Sequence, residues 1–276
     1  MNRFIRPEGQ RRSRHVAERF GSAVNYHNKA LLQQHVAEEL ADRLHDYPLP
    51  ERPRVLEIGC GTGFLSRHLL RQWPEGEFLF TDIAPEMIKR CQSHLADIPG
   101  DKNFAVMDGE LNALTGGFDL VVSSLAFQWF EDLSHGLMGL SDLLRHNGLL
   151  AFATLGEETF QEWQALCERN NAPFGRPDYP HRQALIKMLP QGGEGDVEED
   201  RIPVDHASVL GFLRTLKAVG AHLPAEQHRP VSAATMRRLI HATRGQASAG
   251  RDHGFQVTYH VLYGFFTRSE DERPIH

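Results

Sequence analysis

The chain has 276 residues, 41% of them hydrophobic and 24% charged, with a formal net charge of −6. This is an ordinary globular composition, enough for one domain with additions rather than two, and the negative balance argues against general nucleic-acid binding. No uninterrupted apolar run approaches the roughly 18 residues needed to span a bilayer, and Cys60, Cys91 and Cys167 form neither a CxxC pair nor an even framework, which favours a reducing cytoplasm.

Residues 1–14 hold Arg3, Arg6, Arg11, Arg12 and Arg14 beside Pro7 and Gly9. An arginine-rich start can imitate a transit peptide, but Glu8 and the weak amphipathic pattern favour a disordered tail. A helical pattern begins at His15, carries Val16 and Phe20, and breaks at Gly21. A second helix sets Leu31, Leu32, His35, Val36, Leu40 and Leu44 on one side and ends at Tyr47-Pro48-Leu49-Pro50. Helices ahead of the first core strand can cap a site from above. Tyr26, between them, either packs at a helix start or sends its hydroxyl into that site.

Residues 54–63 are the stretch on which the rest turns. Val55, Leu56 and Ile58 read as a short buried strand that breaks into Gly59, Gly61 and Gly63. Glycines there let the backbone turn sharply and let a ligand approach the main chain. Phe64, Leu65, Leu69 and Leu70 follow at helical spacing, so free N–H groups at the helix start face whatever sits on the loop. A dinucleotide fingerprint requires a glycine where Phe64 stands. Glu57 would repel a pyrophosphate and suits the ammonium end of an amino-acid-like cofactor.

Residues 77–82 read as a second strand ending in Asp82, 19 positions past Gly63, where a carboxylate can accept from both hydroxyls of a ribose. Pro85 and Glu86 open a helix whose buried stripe is Met87, Ile88, Cys91 and Leu95. A third strand over residues 104–107 runs into Asp108, Gly109 and Glu110, an acid placed to read an adenine amino group. The fourth, residues 118–122, leads into Ser123, Ser124, Leu125 and Ala126. Past Phe127, Gln128, Trp129 and Phe130, a helix with Leu133, Leu137, Leu140 and Leu144 ends at Asn147-Gly148, and residues 149–154 form the fifth strand. Strand–helix alternation predicts a parallel sheet covered on both faces, with ligands at the carboxyl ends of its strands.

After Thr154 the rhythm changes. Residues 157–170 read as a helix with Phe160, Trp163, Leu166 and Cys167, then a Pro/Gly-rich link passes Tyr179-Pro180 to a helix over 183–189. The acidic residues 194–200 are a loop or the start of an exposed strand into Ile202 and Val204, a solvated edge in either case. A helix over 208–219 buries Val209, Phe212, Leu213, Leu216 and Val219, with Arg214 and Lys217 projecting together beside that stripe. Residues 255–266 suit a last core strand. The sixteen histidines show no HExxH and no Cys/His cluster at metal-ligand spacing, so no metal site is expected.

The order Glu57-x-Gly-x-Gly-x-Gly, Asp82, Asp108 and residues 123–126 resembles the S-adenosylmethionine-dependent methyltransferases of the Rossmann-like class over roughly residues 50–155. Four further segments, residues 26–33, 123–129, 214–221 and 258–264, resemble the malonyl-acyl-carrier-protein O-methyltransferases of biotin synthesis, Ser124 standing where that family often has Asn. The resemblance implies an α/β fold: a Rossmann-like methyltransferase sheet, mostly parallel with its last strand antiparallel, helices on both faces, a helical cap over residues 15–50 and a helical insert. It divides one domain, residues 15–276, into that cap, a cofactor-binding core over 51–155, substrate-side elements over 156–254 and a final strand over 255–268.

It further implies S-adenosylmethionine held by Glu57, Gly59, Cys60, Gly61, Gly63, Asp82, Ile83, Met87, Asp108, Gly109 and Ser124, with Met87 also in the buried stripe. The implied partner is acyl carrier protein bearing a malonyl group whose free carboxylate is methylated, with no nucleic acid and no membrane, in the cytoplasm. A carboxylate is ionised at pH 7, so the reaction needs alignment and a cation rather than a base. Arg214 or Lys217 is the candidate cation, with Tyr26, Gln128, Trp129 and Tyr259 lining the acceptor pocket. Each of the two bases has the alternative of solvation or of docking the acidic carrier protein. Two other functions stay open: methylation of another small carboxylic acid, and a non-catalytic assembly factor that keeps the fold.

Overall fold

A computed structural model of the chain describes residues 30–111, 113–218, 231–243 and 254–269. The expected helix after His15, Tyr26 and the arginine-rich start lie outside the described residues. Helix α1 (Leu31–Arg43) leads through a 3-10 turn (Leu44–Asp46) to β1 (Arg54–Ile58), followed by α2 (Phe64–Gln72), β2 (Glu77–Asp82), α3 (Pro85–His94), β3 (Asp101–Val106) and β4 (Phe118–Ser124). A 3-10 turn (Phe127–Trp129) precedes α4 (Leu133–Ser141), β5 (Leu144–Leu155), α5 (Gln161–Arg169), α6 (Arg182–Met188), β6 (Gly193–His206), α7 (Val209–Ala218), α8 (Ala233–Thr243) and β7 (Phe255–Arg268).

The strands form one sheet in the order β3-β2-β1-β4-β5-β7-β6. Strands β1 to β5 pair in parallel, and β7 runs antiparallel to both β5 and β6. The central strands β1 and β4 are buried almost throughout, as parallel strands covered on both faces are. Alternation then sorts their side chains. Val55, Leu120 and Val122 join the cluster under α1, α2, α3 and α5, while Leu56, Ile58 and Val121 join the one under α4 and α6. The chain reverses its winding between β1 and β4, the adjacent pair from which successive connections depart in opposite directions. That is the switch point where open α/β sheets bind ligands.

Three expectations shift. Helix α4 ends at Ser141, and Leu144 opens β5 instead of extending the helix. Asn147-Gly148 lies inside β5, where the pairing with β4 changes register and Asn147 takes φ 60°; the turn pair makes a bulge, not a helix stop. Helix α5 begins only at Gln161, because Phe160 at its N-cap has φ 66°. The acidic stretch is strand, the outer edge of the sheet. It is solvated only in part: Asp196, Glu198 and Glu199 pair with Arg182, Arg43 and Arg201. Helix α8 had no expected counterpart, since Met236, Leu239 and Ile240 offer a short apolar stripe among small and basic residues.

Candidate active site

The loop between β1 and α2 is fixed from three sides. Gly59, Gly61 and Gly63 all take positive φ, at 69°, 54° and 88°, a region that costs other residues roughly 1–2 kcal/mol. At Gly59 space adds a second constraint, because a Cβ there would overlap the Ala126 side chain. From β2, Thr81 Oγ1 donates to the Glu57 carbonyl at 2.7 Å and the Cys60 amide donates to the Thr81 carbonyl at 2.8 Å. From β4, Ser123 Oγ donates to the Ile58 carbonyl at 2.9 Å. The loop is thus shaped before any ligand arrives, and preorganisation of this kind lowers the cost of binding.

Asp82 closes the frame. Its carboxylate accepts from the Gly61 amide at 2.9 Å and from the Ala84 amide at 2.8 Å. Burial pushes its pKa up to about 6, against the pull of those two donors. Glu57 lies deeper, 1% exposed, accepting from Ser66 Oγ at 2.6 Å. Burial raises its pKa to about 8; the Ser66 hydrogen bond opposes that shift and the nearby charge of Asp82 adds to it. Both acids are thus held back from ionising, and a cation bound over the loop would favour their charged forms.

A cleft of about 730 Å³, solvent at its mouth included, opens over this loop, a size that suits a nucleoside-bearing cofactor. Gly59, Gly61, Asp82, Ile83, Met87, Asp108, Gly109, Ser124 and Trp129 line it, all expected at the site. Met87 is both core and wall, being only 1% exposed. Glu57, Cys60 and Gly63 do not line it and lie beneath or within the turn, where they shape it. A Cβ at Gly109 would overlap Ile58, so the wall below Asp108 also admits no side chain. Asp108 Oδ1 accepts from the Glu110 amide at 3.1 Å, and Glu110 accepts from the amides of Glu131 and Asp132 at 2.9 and 2.6 Å. That carboxylate ties the β3–β4 connection to the start of α4.

Ile58, Met107, Glu110, Leu125, Ala126 and Phe130 complete the wall. Met107 and Phe130 carry no polar pattern to mark them. Leu125 does stand out in the structure: its φ is 52°, a strained value for leucine, held where its amide donates to the Ala153 carbonyl.

The expected acceptor-side residues are more scattered. Gln128 lies off the cleft wall; its Nε2 donates to the Leu125 carbonyl at 2.6 Å, while Oε1 is buried with no hydrogen-bond partner among the described residues. Tyr259 is 7% exposed on β7, edge-on to Phe160 at 4.8 Å, and burial holds its hydroxyl well above the usual tyrosine range. Arg214 and Lys217 are exposed on α7 and line no part of the cleft. Among the described residues no group of three or more His, Cys, Asp or Glu could hold a metal, and no helix is long and apolar enough to cross a membrane.

The family profile described as "Methyltransferase domain" matches residues 56–150, from β1 into β5. A malonyl-acyl-carrier-protein O-methyltransferase of Magnetococcus marinus is 66% identical over 276 residues, the whole of both chains. The biotin biosynthesis bifunctional protein BioCD of Bordetella avium is 39% identical over 254 residues, 91% of this chain and 52% of that one. Among solved structures, a putative methyltransferase from Bacillus halodurans superposes with a TM-score of 0.61 at 13% identity, over 84% of this chain and 100% of its own.

Proposed function

The chain belongs to the malonyl-acyl-carrier-protein O-methyltransferase family, and on that premise we propose that it methylates the free carboxylate of a malonyl thioester on acyl carrier protein, with S-adenosylmethionine as donor, for biotin synthesis. The observation that carries this reading is 66% identity over an alignment that spans the whole of both chains, substrate-side elements included. The site fits the donor. Its glycine cradle admits no added side chain at Gly59 or Gly109, and its buried acids suit a ligand with cationic ammonium and sulfonium groups.

When bound, S-adenosylmethionine supplies an electrophilic methyl group on a sulfonium. Asp82 accepts from the ribose hydroxyls with the lone pairs its two backbone donors leave over. Asp108 reads the adenine, Ile83 and Met87 flank it, and the Gly59–Gly61 backbone meets the amino-acid end. Glu57 acts from below, through charge and through its hold on Ser66. Among the described residues the ionisable side chains of the cleft wall are Asp82, Asp108 and Glu110, and none of them is a neutral base that would activate a nucleophile. A malonyl carboxylate needs none, being ionised at neutral pH. What remains is alignment and exclusion of water, worth several kcal/mol through effective molarity. Trp129, Phe130 and Leu125 provide the apolar wall. Gln128 and Tyr259 border the acceptor. Arg214 and Lys217, both exposed, suit the acidic surface of a carrier protein better than a buried carboxylate. The enzyme works in the cytoplasm, without nucleic acid or membrane.

The test is direct. Purified protein with S-adenosylmethionine should convert malonyl-acyl carrier protein to its methyl ester, read by mass spectrometry, while succinyl and acetyl thioesters react poorly or not at all. Folded, cofactor-binding protein that leaves the malonyl thioester untouched but methylates a small free acid would refute this reading.

A further inference from the structure

The chain between α5 and α6 forms a strap without regular structure, and the Pro180 carbonyl accepts from the Glu157 amide at 3.1 Å, pinning it just past the end of β5. Strand β5 neighbours β4, whose end carries Ser124, Leu125 and Ala126 into the cleft wall. Adjacent strands lie about 4.8 Å apart, so the strap, where Pro180 pins it, stands one strand over from the cofactor cleft at the same carboxyl end of the sheet.

Arg176 is the unusual member of this strap. Its guanidinium carbon sits 5.0 Å from the Tyr179 ring centre and 5.6 Å from that of Phe174. Nε and Nη1 are both buried, with no hydrogen-bond acceptor among the described residues. Other arginines near acids are satisfied: Arg43 by Glu39 and Glu198, Arg145 by Asp119, Arg182 by Asp196, Arg201 by Glu158. Asp178 and Glu157 influence Arg176 only at longer range, and desolvation lowers its pKa from the usual arginine value. A half-buried cation with two donors lacking partners among the described residues is costly to keep. Aromatic faces soften that cost, but what the site lacks is an anion with acceptor oxygens. The strap also adjoins the residue expected to border the acceptor, because Tyr179 is one of the groups acting on Tyr259.

We propose that Arg176 binds the free carboxylate of the malonyl group and so selects a malonyl over an acetyl thioester; this rests on the malonyl-methylating reading above. A planar guanidinium is the natural partner of a carboxylate. The adjacent rings shield part of the guanidinium from water, and the strap's position beyond β5 lets the carboxylate be held beside the cofactor cleft rather than on an exposed helix.

The experiment compares wild type, Arg176→Met and Arg176→Gln. Methionine keeps an unbranched stem between the two rings and removes an unpaired charge, so this variant should fold at least as well as wild type. Turnover of malonyl-acyl carrier protein by wild type is measured first, and its absence refutes the functional reading itself. Dissociation constants for malonyl- and acetyl-acyl carrier protein are then measured with S-adenosylhomocysteine bound. Loss of a charge-assisted contact predicts a Kd for the malonyl thioester higher by about 30- to 100-fold in both variants, a malonyl-to-acetyl preference collapsing towards one, and unchanged affinity for S-adenosylmethionine. A wild-type preference that survives in Arg176→Met overturns the assignment. So does an equal loss for both thioesters, which would put Arg176 on the part of the acceptor they share.

Discussion

Asp82→Asn separates the ligand-binding role of the β2 acid from its structural one. The carboxylate takes two backbone donors, the amides of Gly61 at 2.9 Å and Ala84 at 2.8 Å. Asparagine offers one oxygen and must turn its own N–H2 towards the second donor. Losing one charge-assisted bond and leaving a buried amide unmatched costs roughly 2.5–6 kcal/mol. Against this, burial raises the Asp82 pKa from 3.8 to about 6, so a neutral side chain relieves about 3 kcal/mol of strain on the ionised form at neutral pH. The net loss of stability is then roughly 0–3 kcal/mol, a fall in Tm of less than about 10 °C for a protein of this size. Ligand affinity has no such offset. Asparagine forfeits an anionic acceptor for the ribose and loosens Gly61, about 2–3 kcal/mol together, or a Kd for S-adenosylmethionine some 30- to 150-fold weaker. Calorimetric titration and thermal melts on the same samples read both quantities. A Kd within threefold of wild type would show that Asp82 serves the loop alone and would refute the ribose assignment.

Proton linkage gives a second expectation. Glu57 and Asp82 have folded-state pKa values raised to about 8 and about 6, so their contribution to stability is fullest below their ordinary values of 4.5 and 3.8. It is lost as pH rises through about 6 and about 8, and the ligand-free protein should melt progressively earlier over that window. A cationic ligand selects the ionised acids, so its affinity should rise over the same range with protons released; proton uptake, measured in buffers of different ionisation enthalpy, would reverse the sign and refute it. Gly59→Ala combines a left-handed backbone at φ 69° with overlap on Ala126, worth about 2–5 kcal/mol, and Ala126→Gly in the same chain should recover the steric part but not the backbone part. A double variant that melts no higher than Gly59→Ala contradicts that division. Removing Arg214 and Lys217 together should raise the KM for malonyl-acyl carrier protein about three- to tenfold at low ionic strength, with the effect fading in salt and absent for the malonyl thioester of coenzyme A; a salt-independent effect shared by both thioesters would place these residues in the acceptor pocket.

The cofactor half was legible because its chemistry is tied to local backbone. Glycines at 59, 61 and 63 mark a turn that few other residues can make, and Asp82 and Asp108 fall at strand ends set by apolar runs on either side. The same logic failed where a signal had two meanings. Asn147-Gly148 is a turn pair, and the expectation of a helix stop ignored that a bulge within β5 uses the same backbone freedom. Phe160 fits a helical stripe with Trp163 and Leu166, yet it serves as a left-handed N-cap whose ring packs on Phe212 and Tyr259. Glu57 was expected against the ligand and instead lies a layer below, bonded to Ser66 nine residues on. Burial of that kind depends on the whole sheet.

The acceptor half was hidden for a different reason. An exposed pair such as Arg214 and Lys217 draws notice in sequence because two bases three positions apart share a helix face. Exposure, however, is what a carboxylate-holding cation should lack: in water an ion pair is worth about 0–1 kcal/mol, too little to tell malonyl from acetyl by more than a few-fold. Strong discrimination needs a cation already stripped of water and short of acceptors, which a bound carboxylate can then satisfy. Arg176 goes part of the way to that condition: it is half-buried beside Phe174 and Tyr179, with two buried nitrogens that find no acceptor among the described residues. Nothing periodic marks it, since it lies in a strap whose course is set by Pro180 pairing back to Glu157. Specificity in this fold therefore falls to a segment that secondary-structure patterns pass over, beside a cofactor site that they find readily.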